Sequence, residues 1–271
     1  MTQPIYSFEA RVIGQKNVAE GSFILSLEAP PIAKIIQPGQ FIQIRCTQKD
    51  DPLLPRPFSI YRVREKKILD ILYEVIGRGT ELMSGVKTGE RLPIFGPLGN
   101  TFSYPKQRSL SFLVGGGAGL APFYDLSEAL IDPKRGKQKR EDVIVLLGAR
   151  SQKKIFCEKD FKSLGVRFEI TTDDGSRGFK GFVTELLAQK LRAPHSSLPA
   201  RIYACGPRPM LCAVAQLAEK RQIPCEVSID AYMPCGYGIC FGCAVKSANG
   251  SLYKLACTDG PVFRAEELLW E

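Results

Sequence analysis

The most specific chemical pattern in this chain lies near its end. Cys235, Cys240 and Cys243 follow one another at C-x4-C-x2-C spacing, and Cys257 comes after thirteen further residues. That is the ligand spacing of plant-type 2Fe–2S sites. Structural zinc more often uses two paired knuckles, whereas here one knuckle has an extra cysteine upstream and a lone partner downstream. Zinc and free buried thiols are the alternatives. Gly236, Gly238 and Gly242 suit a loop that turns tightly, through positive φ angles, and aims backbone N–H groups at negatively charged sulfurs. Ile239 and Phe241 are apolar neighbours that limit water and so influence reduction potential. Cys46, Cys157, Cys212 and Cys225 lie outside any ligand spacing and read as small buried hydrophobes.

Two glycine segments point to a second chemistry. Leu113-Val114-Gly115-Gly116-Gly117-Ala118-Gly119-Leu120-Ala121-Pro122 sits where an apolar run gives way to helical spacing. There Gly117 and Gly119 let backbone approach a pyrophosphate, and a helix N-terminus favours its charge. The G-x-G-x-x-G pattern is not met, because Leu120 occupies the last glycine position, so a tight strand–helix turn is the competing reading. Tyr203-Ala204-Cys205-Gly206-Pro207-Arg208 repeats the same transition. Ligands of such sheets bind at the carboxyl ends of the strands, so Cys205, Gly206 and Pro207 could line one crevice with the first segment. A third transition, Thr171-Thr172-Asp173-Asp174-Gly175-Ser176, also reads as a plain Asp-Gly turn. Arg150 and Ser151 could meet a 2′-phosphate and Asp173 a ribose hydroxyl, which leaves NADH and NADPH both open.

In the first hundred residues, Leu54-Pro55-Arg56-Pro57-Phe58-Ser59-Ile60 puts Arg56 and Ser59 on one extended stretch able to clamp phosphate and flavin edge. Gly77-Arg78-Gly79-Thr80 offers backbone amides. The plain alternative is an exposed strand arginine with no ligand.

The elements that must hold these residues change character along the chain. Tyr6 to Ile13, Ser22 to Glu28, Phe41 to Cys46, Phe58 to Val63 and Ile68 to Val75 read as short strands between turn signals, with little helical periodicity. A small antiparallel barrel follows. From Ser109, buried-type strands alternate with helices at Ala121 to Ile131, Phe182 to Leu191 and Pro209 to Lys220, the pattern of a helix-covered parallel sheet. The expected architecture is therefore β plus α/β in three units: an antiparallel Greek-key barrel (1–103), a parallel α/β nucleotide-binding domain (104–224) and a cysteine-rich subdomain (225–271).

Composition narrows the classes. The chain has 271 residues, 44% of them hydrophobic, with nine cysteines and one histidine, His195. Multi-histidine zinc sites are excluded, and a hydrolase triad would have to use His195. No apolar run approaches the roughly 18 residues of a membrane span, and the first residues lack a signal-peptide pattern. A cytoplasmic protein is expected, in which cysteines serve metal or redox chemistry rather than disulfides. Lys plus Arg exceeds Asp plus Glu, 37 to 28. The densest basic run, Lys134 to Arg140, has no interleaved aromatics to stack bases and reads as a solvated connecting loop, so no nucleic-acid partner is expected.

In their order these pieces resemble the ferredoxin–NADP reductase superfamily, whose Arg-x-aromatic-Ser, Gly-x-Gly-x-Ala-Pro and Cys-Gly-Pro signatures correspond to Arg56 to Ser59, Gly117 to Pro122 and Cys205 to Pro207. The cysteine-rich tail narrows the resemblance to the electron-transfer subunits of class 1B dihydroorotate dehydrogenases. Leu72 to Thr80, Phe95 to Asn100 and Cys257-Thr258-Asp259-Gly260-Pro261-Val262-Phe263 support it. The resemblance implies FAD at Arg56, Pro57, Phe58, Ser59, Leu72, Tyr73, Glu74, Gly79 and Thr80, and iron on Cys235, Cys240, Cys243 and Cys257. Glu74 stands where relatives often have a basic residue, so backbone contact alone is expected there. It also implies an FMN-containing catalytic partner subunit, two copies of each forming a heterotetramer. Electrons from dihydroorotate would pass through the cluster and FAD to NAD+, in pyrimidine biosynthesis, with Cys205 near the nicotinamide–flavin contact. Small subunits of NAD(P)H–ferredoxin oxidoreductases and of sulfite reductases share most of these motifs and are the alternative.

Overall fold

The computed structural model describes residues 3–192, 198–249 and 252–270. His195 lies outside the described residues.

The first unit is one antiparallel sheet. Its strands are β1 (Tyr6–Ala19), β2 (Ser22–Glu28), β3 (Phe41–Ile44), β4 (Arg56–Ser59), β5 (Arg62–Arg64), β6 (Ile68–Glu74) and β7 (Arg91–Leu98), ordered β4-β3-β7-β1-β2-β6-β5. A single turn α1 (Pro30–Ala33) and a short helix α2 (Arg78–Ser84) interrupt them. Alternating inward residues make the core: Leu25 and Leu27, Ile42 and Ile44, Leu69 and Ile71 are all fully buried. The barrel is a half-barrel, because no ladder joins its end strands β4 and β5. The short edge strand β5 is instead covered from the second unit. Tyr61 packs at 5.2 Å on Tyr124, and the Arg62 guanidinium lies 5.0 Å over the same ring. Covering protects an edge as closure would.

The second sheet runs through β8 (Leu110–Gly116), β9 (Val143–Ala149), β10 (Arg167–Thr172), β11 (Phe179–Lys180), β12 (Ala200–Cys205) and β13 (Cys225–Ser228), which pair in parallel. Helices α3 (Ala121–Ile131), α4 (Glu158–Leu164), α5 (Val183–Arg192) and α6 (Arg208–Lys220) connect them. Strands buried on both faces must be apolar throughout, and Val143 to Leu147 are. The order β11-β10-β9-β8-β12-β13 reverses direction between β8 and β12. A crevice therefore opens at the carboxyl ends of those two strands. In the basic run, Gly136 and Gln138 are buried while the Lys and Arg side chains are exposed, and Gln138 accepts a hydrogen bond from the Ser109 N–H at 2.8 Å.

The tail forms a two-stranded ribbon, β14 (Ala244–Lys246) with β15 (Tyr253–Leu255), then returns as β16 (Val262–Arg264) antiparallel to β13. Residues 225–228, read from sequence as the start of the third unit, are thus a strand of the second sheet. At four residues β13 is too short to show as a further turn of the alternation.

Candidate functional site

The cysteine loop is built against the barrel. Tyr237 stacks on Phe95 of β7, with ring centres 5.0 Å apart and planes 4° from parallel. Gly236, at φ +74°, lies so close to Leu98, Phe95 and Gln43 that a Cβ would meet them at 3.0, 3.2 and 3.3 Å. The Gln43 side chain donates to the Met233 carbonyl at 2.5 Å. The turn itself departs from expectation at one place. Gly238 takes a positive φ, but so does Phe241, at +58°, and Gly242 does not. Gly242 is needed for closeness instead, since a Cβ there would lie 2.9 Å from the ring of Pro234.

The four thiols form two pairs. Cys243 and Cys257 are buried, with their sulfurs 3.2 Å apart. Cys235 is half-buried and Cys240 exposed, and the N–H and thiol of Cys240 both favour the Cys235 thiolate. Burial opposes ionisation of Cys235, but N–H groups of Cys240, Tyr237 and Ile239, with the Cys240 thiol, outweigh it and bring the thiol down to about 6. Burial, then the neighbouring Cys243 thiol, pushes Cys257 up to about 12. The N–H groups of Tyr237 and Gly242 each reach a cysteine sulfur at 3.4 Å. Among the described residues no three His, Cys, Asp or Glu side chains are arranged around a single ion. The donor set, four thiols with backbone N–H groups turned toward sulfur, fits an iron–sulfur group.

At the crevice the two glycine segments touch backbone to backbone. A Cβ on Gly119 would fall 2.2 Å from the carbonyl oxygen of Cys205, and one on Gly116 would lie 2.8 Å from both Pro207 and Met210. Gly119 therefore serves close packing, while Gly117, at φ +53°, faces the barrel, with the Glu74 carboxylate beside it. Cys205 is buried at the end of β12. Burial and Asp230 raise its thiol, against a hydrogen bond with Ser228, to about 12. Ser228 and Asp230 escape sequence reasoning because no motif marks them; only the β12–β13 ladder, which pairs Cys205 with Ser228, brings them here. At the far rim the Asp173 and Asp174 N–H groups donate to the carbonyls of Ala149 and Arg150, at 3.1 and 3.3 Å. Asp174 accepts from the Ser176 N–H and hydroxyl, at 2.9 and 2.6 Å, which lowers its pKa.

The barrel residues divide by strand alternation. Leu72 is buried against Leu120 and Ala121 of the second unit, and Glu74, on the same face of β6, reaches Gly117. Tyr73 points the other way, into the barrel, where its hydroxyl donates to Gln15 at 2.9 Å and its ring meets Phe23 and Phe58. Phe58 and Tyr73 thus form a floor, and only their backbone is available to a ligand. Arg56 donates to the carbonyls of Leu54 and Pro55, at 2.7 and 3.2 Å, beside Gly79. Thr80 is engaged by its own turn, accepting from the N–H groups of Ile76 and Gly77. The half-buried Ser59 hydroxyl has no side-chain partner among the described residues. An unengaged hydroxyl beside Arg56 and Pro57 fits a flavin dinucleotide held largely by backbone.

Comparison with known proteins agrees with this layout. The profile of the iron–sulfur cluster binding domain of dihydroorotate dehydrogenase B matches residues 230–269, and that of the oxidoreductase NAD-binding domain matches residues 113–216. A "Dihydroorotate dehydrogenase B (NAD(+)), electron transfer subunit" of Desulforamulus reducens is 39% identical over 97% of this chain and 98% of its own. The corresponding protein of a Geobacillus species is 36% identical over 95% and 96%. Among solved structures, an NADH-dependent reduced ferredoxin–NADP oxidoreductase superposes with a TM-score of 0.83 at 29% identity, covering 96% of this chain and 90% of that one. The Amycolatopsis cytochrome P450 reductase shares the fold at a TM-score of 0.68 and 21% identity, over 82% and 68%. At 36–39% identity over nearly its whole length, with both domain profiles matched, the chain belongs to the family of dihydroorotate dehydrogenase B electron transfer subunits.

Proposed function

We propose that this chain holds a 2Fe–2S cluster on Cys235, Cys240, Cys243 and Cys257 and FAD on the barrel face. In the cytoplasm it would link an FMN-containing catalytic subunit, which oxidises dihydroorotate, to NAD+. The observation that carries the reading is the seating of the cysteine loop on β3 and β7, which packs that loop directly against the half-barrel. When bound, the cluster supplies one-electron transfer, and the flavin supplies exchange between single electrons and a hydride.

The chain's own residues bind and orient. Arg56 to Ser59, the backbone of Leu72 to Glu74 and Gly79-Thr80 would hold FAD; Gly117, with Cys205 to Pro207 at the β8–β12 reversal, would hold the nicotinamide dinucleotide. Ile239, Phe241 and Tyr232 are 78%, 65% and 91% exposed around the cysteine loop, an apolar collar suited to a protein partner that shields the loop from water. Asp173, exposed at the rim, favours a ribose hydroxyl over a 2′-phosphate, and so NAD+. We also propose two copies of each subunit in the assembly, and three units along the chain at 1–103, 104–224 and 225–271, the last of which lends β13 and β16 to the sheet of the second. No described helix is long and apolar enough to cross a membrane.

Co-purification with a catalytic FMN subunit and dihydroorotate-dependent NADH formation test the reading, with iron and sulfide analysis giving the cluster type and light scattering the stoichiometry. Failure to form a complex, with intact NADH-linked reduction of ferredoxin, would favour a subunit of an NAD(P)H–ferredoxin oxidoreductase, to which the 0.83 superposition lends weight.

A further inference from the structure

Glu74 is the last residue of β6, half-buried where the half-barrel meets the crevice. A Cβ on Gly117 would lie 3.3 Å from its Oε2 and 3.9 Å from the other carboxyl oxygen. Its carboxylate makes no hydrogen bond or ion pair among the described residues. A carboxylate on a glycine turn ahead of a helix normally takes the turn's N–H groups, as a phosphate would. This one stands at the turn without doing so, an uncompensated negative charge where an anionic dinucleotide would pass.

We propose that Glu74 sets affinity at the crevice by charge: it repels the pyrophosphate of a nicotinamide dinucleotide on the Gly117 turn, and repels the reduced form more than the oxidised form. The inference rests on the crevice reading above. The oxidised nicotinamide ring carries a positive charge, so NAD+ presents one net negative charge and NADH two. A fixed negative charge therefore penalises product more than substrate when NAD+ is reduced. Weak retention of NADH then favours release, a step that often limits turnover.

The test uses the complex with its catalytic subunit, loaded with FAD and cluster, and compares the wild type with Glu74→Gln, which keeps size and an acceptor oxygen but removes the charge. Calorimetry with redox-inert 1,4,5,6-tetrahydro-NADH, ADP-ribose and NAD+ gives dissociation constants. The substitution is expected to tighten tetrahydro-NADH and ADP-ribose roughly fivefold or more, and NAD+ about half as much, as Coulomb repulsion at partial solvent exposure implies. Because salt screens the charge, the gain should shrink between about 0.01 and 1 M ionic strength. Flavin and iron content equal to the wild type establishes that Glu74→Gln is folded.

Equal or weaker binding of tetrahydro-NADH by Glu74→Gln overturns the inference. Tightening that is the same for all three probes and indifferent to salt overturns it too, as does a change confined to FAD retention. If the wild type binds none of the three probes, the crevice reading itself falls.

Discussion

A thiol binds iron as thiolate, so the ease of loading at each cysteine follows from what its surroundings do to its proton. Cys235 is brought down to about 6 by backbone N–H donors against the effect of burial, whereas Cys257 is pushed to about 12 by burial and by Cys243. In cluster-free protein at pH 7, Cys235 is then mostly thiolate, and the buried Cys46, Cys205 and Cys225 are not; nor is Cys157, which like Cys212 is half-buried rather than the core residue the sequence suggests, but whose thiol burial still raises. Brief iodoacetamide treatment followed by peptide mass spectrometry should label Cys235 first, with labelling falling off below pH 6. The sign for stability follows as well. A thiol lowered from 9.0 to about 6 lends the cluster-free fold stability that is full above pH 9 and lost as pH falls through 6. Cys240→Ser should leave that fold intact, since Cys240 is exposed, yet abolish the visible iron–sulfur absorption. Unchanged absorption would remove Cys240 from the ligand set. Gly119→Ala should act elsewhere. Its Cβ would drive the Cys205 carbonyl away, so dinucleotide affinity should fall by tenfold or more while iron content stays constant.

At the scale of elements, two stretches that carry the family resemblance turn out to be each other's partners. Phe95 to Asn100 ends β7, and Thr258 to Phe263 leads into β16. Asn100 joins them: its side chain donates to the carbonyls of Asp259 and Val262, at 2.9 and 2.7 Å, and accepts from the Val262 N–H at 2.9 Å. Gly99 fits because a Cβ there would fall 2.5 Å from Pro261. Replacing Asn100 with Ala should cost about 2–3 kcal/mol, since it strips partners from half-buried backbone groups, and should lower the thermal midpoint of the whole chain. The same elements show what sequence could and could not tell. Helix α3 was legible to its ends, because its apolar residues recur at helical spacing from Ala121 to Ile131. Strand β7 was not read as a strand, because Pro93, Gly96 and Pro97 break its pattern; the pairing with β1 and β3 holds it extended. Helix α2 was read as amide-bearing loop because of Gly77 and Gly79, yet Thr80 closes its first turn. The C-x4-C-x2-C spacing points to Cys235, Cys240 and Cys243 because it is local, whereas Cys257 meets Cys243 only through the β14–β15 ribbon. That Tyr73 and Phe58 turn inward while Glu74 reaches Gly117 depends on which face of β6 meets the second unit, a fact of tertiary register that no local pattern contains.

For the molecule as a whole, the arrangement of the tail decides how the three units depend on one another. The cysteine loop presses on the barrel at Phe95, while the strands on either side of it, β13 and β16, finish the nucleotide-type sheet. Val227 is fully buried and Phe263 nearly so, and both join the core cluster that contains Cys243 and Cys257. The cysteine site is thus continuous with the packing of Ile202 and Ala204 on β12, which ties the cysteine loop to the strand that ends at the crevice. Without 225–271, β12 would become an exposed edge with Ile202 and Ala204 uncovered, and an unpaired apolar strand is an aggregation site. Truncation after residue 224 should therefore yield insoluble or dinucleotide-incompetent protein, even though every glycine of the crevice is retained. Truncation after residue 264, which keeps both strands and all four cysteines, should be less damaging, although it removes the buried Ala265 and Leu268 and the Glu267 carboxylate that pairs with Lys254 at 3.2 Å. Soluble expression, circular dichroism and ADP-ribose binding of the two truncations measure this directly. A well-folded, nucleotide-binding 1–224 fragment would make the tail a detachable module and would break the link between cluster and crevice drawn above.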